Sequence, residues 1–292
     1  MRSLIFIAVS LILSGCEKNI DFKLHESAEV LVVDASIENG KPPVVILTKS
    51  FGFFSQVTPE LISNAFIHDA EIYISNGSSQ HRLKEYHIDS SAGFRVYFYS
   101  NDSSDPISPL LGEPDNSYQL KIKTGEKEYD ATTTIPALEK KPDSLWWKTA
   151  PFNEDTNKVV ITVRVIDPPG LGNYIRYYTK KNSGPFLPGE NSVYDDQFVD
   201  GSTYAIPVEP GVDRNNKIKY EDNYFRRGDT VTLKMCNIDR ATYKFWSTME
   251  FAYQGNGNPF ASPVKVVGNI SNGALGAFCG YGAVYGTIVV PK

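Results

Sequence analysis

Cys16 is the residue near the start of the chain whose type and setting most clearly indicate chemistry. It ends the tetrapeptide Leu-Ser-Gly-Cys at residues 13–16, which follows Arg2 and an apolar run at residues 4–13. That run is too short for a bilayer span, which needs about twenty residues, and a basic start with a small-residue end is typical of a cleaved secretory signal. A thiol placed there predicts a lipobox, in which Cys16 accepts a diacylglyceryl group and becomes the first mature residue. The alternative is an ordinary signal peptide with an unrelated cysteine.

Acylation of Cys16 predicts where the protein works. Two or three acyl chains anchor a protein stably, whereas one chain does not, so the bilayer is a predicted partner. Residues 1–15 are then the signal peptide and residues 16–27 a polar, lipidated tether. Glu17 stands where an aspartate would signal inner-membrane retention, so we expect an outer-membrane lipoprotein. Its orientation, on the periplasmic face or the cell surface, stays open.

Cys236 and Cys279 are the other two thiols. In an exported protein they are candidates for a disulfide, and the alternative is two separate buried thiols that behave as small hydrophobes. A catalytic role for Cys279 is disfavoured, because a thiolate needs a positioned base. The four histidines all lie far from it in sequence: His25, His68, His81 and His87.

Two acidic segments have residue types that could hold a cation or perform hydrolysis. Asp195, Asp196 and Asp200 could bind a metal or act as paired carboxylates for glycoside cleavage, although solvated turn acids are the favoured interpretation. The second segment offers oxygen ligands at Asp213, Asn215, Glu221 and Asp222, but residue 218 is Ile where a calcium loop of the EF type needs Gly. We therefore predict no metal and no cofactor.

Aromatic side chains suggest a possible interaction surface. Phe51, Phe53 and Phe54 lie in one predicted loop, and Trp146 and Trp147 are adjacent. Such residues could contact a glycan or a peptide, whereas the alternative for the loop is that it folds over the core. Motifs of zinc hydrolases, serine hydrolases and phosphate-binding loops are missing from the sequence, so we expect no enzymatic activity. The formal net charge of −5, or −6 without Arg2, disfavours nucleic acid as a partner.

The elements that must position these residues are mostly strands. Aromatic residues make up 12% of the chain, and short alternating segments separated by turn residues predict β-structure. We expect an immunoglobulin-like β-sandwich at residues 28–137, a proline-bracketed linker at residues 138–145, and a second β-rich domain at residues 146–292. That second domain carries one helix at about residues 239–253, capped by Asp239 and ended by the Gly-Asn-Gly-Asn-Pro segment.

Several motifs resemble those of an uncharacterised family of Bacteroidota outer-membrane lipoproteins, of the domain of unknown function 4249 type. The motifs are the lipobox, residues 70–72, 118–120, 196–201, 228–231, 238–245 and 258–261, and the Asn-Ile-x-x-Gly-Ala-Leu-Gly-x-Phe segment at residues 269–278. The resemblance implies a lipoprotein often encoded beside a TonB-dependent receptor, with no established catalytic residue. Cys279 departs from the pattern.

Three functional hypotheses follow. The preferred one is a non-enzymatic accessory or ligand-delivery subunit of a TonB-dependent nutrient transporter, with that receptor as its protein partner. The second is a surface module that binds glycan or peptide through the aromatic residues. The third is a hydrolase that uses Asp195, Asp196 and Asp200.

Overall fold

The computed structural model describes residues 29–52, 55–90, 93–104, 109–214, 223–255 and 264–292. It is mainly β, with 51% strand and 10% helix and one helix in the C-terminal part, which confirms the predicted fold class. Cys16 and the predicted signal and tether lie outside the described residues. Neither helix of the described part is long and apolar enough to cross a bilayer.

The first half forms seven strands because its apolar residues alternate with polar ones. In β6, for example, Tyr118, Leu120 and Ile122 are buried while their neighbours face outward, the period of two that a strand requires. The strands are β1 (Leu31–Glu38), β2 (Val44–Lys49), β3 (Glu71–Ser75), β4 (Gln80–Asp89), β5 (Arg95–Asn101), β6 (Asn116–Thr124) and β7 (Lys127–Ile135).

A short helix, α1 (Pro59–Ala65), lies between β2 and β3, and no helix was predicted there from the sequence. Thr58 caps it, because its hydroxyl accepts a hydrogen bond from the Leu61 backbone N–H at 3.1 Å. Pro59 occupies the first turn, where its missing N–H costs nothing. The Thr-Pro-Glu start was therefore a local signal for this helix that the sequence analysis passed over.

The second half contains eight strands and the longer helix. They are β8 (Lys141–Thr149), β9 (Lys158–Ile166), β10 (Tyr174–Lys181), β11 (Leu187–Tyr194), β12 (Thr203–Val208), β13 (Phe225–Arg226), β14 (Thr230–Ile238), α2 (Arg240–Gly255) and β15 (Leu275–Val289). The expected helix is present with Asp239 as its cap, since Asp239 Oδ1 accepts from the Thr242 N–H at 2.7 Å. Strand β8 begins at Lys141, so part of the predicted linker is strand. The domain division itself stays a prediction.

The last strand joins the two halves of the chain. Eleven strands form one sheet in the order β11-β10-β14-β15-β1-β2-β5-β4-β3-β6-β7. The first part of β15 pairs in parallel with β1, and its second part pairs antiparallel with β14. Two parallel strands cannot be joined by a tight turn. The parallel neighbour of β1 is accordingly a strand from the other end of the described chain.

Three hydrophobic cores hold this arrangement. The first lies between the β1–β2 and β3–β6–β7 parts of the folded sheet. The second lies between the smaller sheet of β8, β9, β12 and β13 and the strands β10 and β14. The third lies under α2, against the opposite face of β14 and β15. The helix therefore covers one face of the strands that connect both sandwich-like halves.

Side chains, rather than another strand, close the outer edge of β7. Exposed strand edges invite aggregation unless they are covered. Asn269 bridges β7 and β15, because its amide donates to the Thr132 and Phe278 carbonyls and accepts from the Phe278 N–H. The other edge contacts are those of Ser271 with Asp130, of Asn272 with the Glu128 carbonyl, and of Asp239 with the Thr134 N–H and Thr133 hydroxyl.

Candidate ligand-binding cavity

A cavity of about 970 Å³ lies between α2, the starts of β1 and β15, and the segment at residues 265–270. Its volume is at the upper end of the range of about 300–1,000 Å³ that is common for small organic ligands. The sheet forms its floor, and the helix and the 265–270 segment form its walls. It is therefore the candidate functional site.

One face of α2 supplies the helical wall. Phe245, Trp246, Met249 and Tyr253 all line the cavity, and their spacing places them on neighbouring turns of one helical face. These four side chains form an apolar stripe along the helix. Such a stripe normally packs into a core, whereas here its end borders an open space. The opposite wall is also apolar and includes Val267, Ile270 and Leu275.

Trp246 is held in place by contacts on the side away from the cavity. The guanidinium carbon of buried Arg176 lies 3.3 Å from the ring centroid, and the indole N–H donates to the Tyr281 hydroxyl at 2.8 Å. Arg176 also donates to the hydroxyls of Ser192 and Tyr281 at 3.2 and 3.4 Å. Ser192 in turn donates to the buried carboxylate of Glu250. This network balances the arginine charge and gives the indole a fixed orientation.

Asp34 is the acidic residue on the cavity floor. It lies on β1 opposite Ala277 of β15, on the sheet face that α2 covers. Its side chain is accessible within the cavity and makes no hydrogen bond or ion pair with any other described residue. Burial raises the pKa of Asp34 above its usual range, and the charge of Arg176 partly opposes this. The sequence analysis missed Asp34, although a single carboxylate within the apolar run at residues 30–37 was a visible signal.

The acidic residues that the sequence analysis grouped do not form one site. Asp195 accepts a hydrogen bond from the Tyr243 hydroxyl at 3.3 Å, whereas Asp196 and Asp200 cluster with Asp167, their oxygens within 4.8 Å of one another. The buried ammonium of Lys140 lies 2.6 Å from an Asp167 oxygen. A built-in cation therefore already compensates part of the negative charge of this cluster.

Asp196 and Asp200 brace the loop between β9 and β10. Asp196 accepts from the backbone N–H groups of Gly172 and Asn173, and Asp200 from that of Gly170. Burial alone would raise the pKa of Asp196, but these donors outweigh it and hold the pKa below its usual range. These carboxylates thus perform a structural task. In the other predicted acidic segment, Asn215, Glu221 and Asp222 lie outside the described residues.

The candidate disulfide between Cys236 and Cys279 is not formed. Cys236 and Cys279 are both buried and free, as the alternative interpretation had it. Cys236 is paired with Ala283 in the β14–β15 ladder, and Cys279 comes four residues before Ala283 in β15, which corresponds to about 13 Å. A disulfide requires Cα atoms within about 7 Å. Both thiols instead pack in the core under α2.

The predicted aromatic residues are not brought together into one surface in the described part of the chain. Trp146 and Trp147 are half-buried neighbours on β8, so their side chains point to opposite sheet faces. Trp147 packs against the second core, with the Arg227 guanidinium 4.8 Å from its ring. Phe51 is 41% exposed, and Phe53 and Phe54 lie outside the described residues.

Comparison with known proteins gives one family. Residues 17–285 match the family described as Domain of unknown function (DUF4249). No curated protein matches the chain. The matched residues include both halves of the large sheet, helix α2 and the whole lining of the cavity.

Proposed function

We propose, from the premise that the chain belongs to the DUF4249 family, that it is a lipid-anchored binding protein of the outer membrane. In this proposal it is an accessory subunit that holds a ligand and delivers it to a TonB-dependent nutrient transporter. Binding and release, without chemical conversion, are the steps that its residues perform.

The cavity beside α2 is the observation that carries this proposal. A site of about 970 Å³ with mainly apolar walls can remove the apolar part of a small molecule from water, and that transfer is favourable in proportion to the area buried. Trp246, fixed by Arg176 and Tyr281, offers a rigid aromatic wall at little entropic cost. The arrangement therefore suits reversible capture of a ligand.

The proposed anchor would keep this cavity close to the membrane. Glu29 directly precedes β1, whose Val32 lines the cavity. Glu29 comes thirteen positions after Cys16, and even a fully extended segment of that length spans only about 45 Å. A ligand held beside β1 would thus remain within reach of a transporter in the same membrane.

Filling the cavity tests the binding function. Leu275 lines the cavity and is 52% exposed, whereas Val289, at the far end of the same strand, is 63% exposed and serves as the matched control. We expect native mass spectrometry of protein extracted from membranes to detect a bound small molecule in the unmodified chain and in Val289→Trp. We expect Leu275→Trp to lose it. Equal occupancy in all three proteins would contradict the proposal.

The transporter part of the proposal has a separate test. The natively lipidated protein, isolated in mild detergent, should bring down a TonB-dependent receptor barrel that mass spectrometry identifies by its sequence. Isolation as a clean monomer would reject this partner and leave ligand binding to be judged by the cavity variants.

A further inference from the structure

We infer that the ligand of the cavity is an apolar molecule that carries one protonated amine, and that this amine binds the Asp34 carboxylate. The inference rests on the proposed binding function and adds the chemical class of the ligand. Two sources share this chemistry: a free hydrophobic amine and the N-terminus of a hydrophobic peptide.

Among the described residues, the position of Asp34 in the sheet leaves its carboxylate without a protein donor. Its neighbour on β15 is Ala277 and its neighbour on β2 is Ile46, and neither side chain can donate a hydrogen bond. No described residue forms an ion pair with it. The Asp34 residue is exposed, and a charged donor forms a stronger hydrogen bond with a carboxylate than a neutral donor does.

The described cations near the cavity do not take this role. The guanidinium of Arg176 is engaged by Ser192, Tyr281 and the Trp246 ring, below the helix. Lys265 also lines the cavity, but it is exposed at the rim and makes no ion pair with a described residue. The donor that Asp34 lacks within the described part of the chain can therefore be supplied by the ligand.

The rest of the lining selects the body of that ligand. Apart from Asp34 and Lys265, the walls are formed mainly by aliphatic and aromatic side chains such as Trp246, Met249 and Leu275. An ammonium group has three donors and binds one carboxylate as a compact point charge. A molecule with a bulky apolar body and a single amine therefore satisfies both the walls and the floor.

Three rigid probes of equal size test the charge preference. They are adamantan-1-amine, adamantan-1-ol and adamantane-1-carboxylate, titrated calorimetrically into the full lipidated chain in nanodiscs, with empty nanodiscs as the blank. We expect the amine to bind about tenfold more tightly than the alcohol, as a hydrogen bond between two charged groups would give. The peptide source is tested with Leu-Phe-Leu amide against its N-acetylated form.

Asp34→Asn removes the charge and keeps the size of the side chain. We expect it to weaken binding of the amine about tenfold and to leave binding of the alcohol unchanged. The control is Asp89→Asn, an exposed carboxylate paired only with Arg95 in the described structure, which should change neither. Preference for the free over the acetylated peptide N-terminus, without preference for adamantan-1-amine, would assign the ligand to peptides.

The outcomes separate the ligand class from the binding function. Equal binding of all three adamantane probes and of both peptides, or an amine preference that persists in Asp34→Asn, overturns the inference. If Leu275→Trp still abolishes binding of the alcohol in that case, the binding function stands. If no probe binds, or if Leu275→Trp leaves all binding unchanged, both the inference and the proposed function fail.

Discussion

At the scale of single residues, the donors around a carboxylate decide what it does. Asp196 follows a polar turn in sequence, and its oxygens accept from the N–H groups of Gly172 and Asn173. Asp34 lies within an apolar strand, and its oxygens face an open cavity. In the sequence both are simply aspartates, and nothing there shows which groups donate hydrogen bonds to their oxygens. Asp196 therefore has a structural role, and Asp34 remains available to a ligand.

The two buried thiols give a prediction that depends on pH. Burial raises the pKa of both Cys236 and Cys279 to about 12 from an ordinary value of 9.0. At pH 8 the folded protein would then hold about one thiolate in ten thousand at each site. We expect iodoacetamide to label neither thiol in the folded protein and both in urea, as measured by mass spectrometry.

The same shift affects stability at high pH. The pKa of each thiol is higher in the folded protein than in the unfolded chain, so the protonated thiols contribute to the free energy of unfolding. This contribution is complete below about pH 9 and is lost as the pH rises toward 12. A mass consistent with a disulfide, or rapid labelling at pH 8 without denaturant, would contradict the burial of these thiols.

At the scale of elements, Asp239 links the helix to the edge of the first sandwich. One carboxylate oxygen caps α2 through the Thr242 N–H, and the other accepts from the Thr134 N–H of β7 at 2.8 Å. The sequence predicted the cap, because an aspartate directly before a helical stripe is a local signal. The contact with β7 joins residues about a hundred positions apart, so no local pattern could indicate it.

Removal of this double contact should destabilise the protein. We expect Asp239→Ala to lower the free energy of unfolding by about 2–4 kcal/mol, as the sum of a lost cap and an unsatisfied buried N–H. Asp239→Asn keeps one acceptor oxygen, so its loss should be about half as large. Urea unfolding followed by circular dichroism measures both. A change below about 0.5 kcal/mol in Asp239→Ala would show that neither contact matters.

Strand β15 explains the glycine-rich end of the chain. Gly276 has a φ of +94°, and a Cβ at this position would overlap the Val33 carbonyl of the parallel neighbour β1. Only glycine fits both the backbone angle and this close approach. At Gly276 the close approach is therefore to the backbone of β1.

At the scale of the whole molecule, the first and last strands of the described chain meet beside the cavity. The register pairs Val33 of β1 with Gly276 of β15, and both line the site. The site therefore needs the two ends of the fold to be joined. The proposed membrane anchor would leave from the same end of β1 and would place the proposed capture of a ligand near the lipid surface.

A variant of the predicted anchor tests this arrangement. Cys16→Ala should leave the β-sheets folded, because residue 16 precedes the first strand, and should release the protein from membranes. Fractionation of cells followed by immunoblotting measures the release, and circular dichroism of the soluble fraction measures the fold. Persistent membrane association of the folded variant would show that protein docking, rather than lipid, retains it.

The sequence by itself determined the mainly β composition, the position of α2 and its cap, because alternation, helical periodicity and capping are all local. It did not determine the pairing of β15 with β1 or the separation of Cys236 from Cys279. Nor did it show that Asp167, rather than Asp195, clusters with Asp196 and Asp200. Those features depend on contacts between distant residues. The cavity and its unpaired Asp34 belong to the same class, since only the packing of α2 and residues 265–276 against β1 encloses that space.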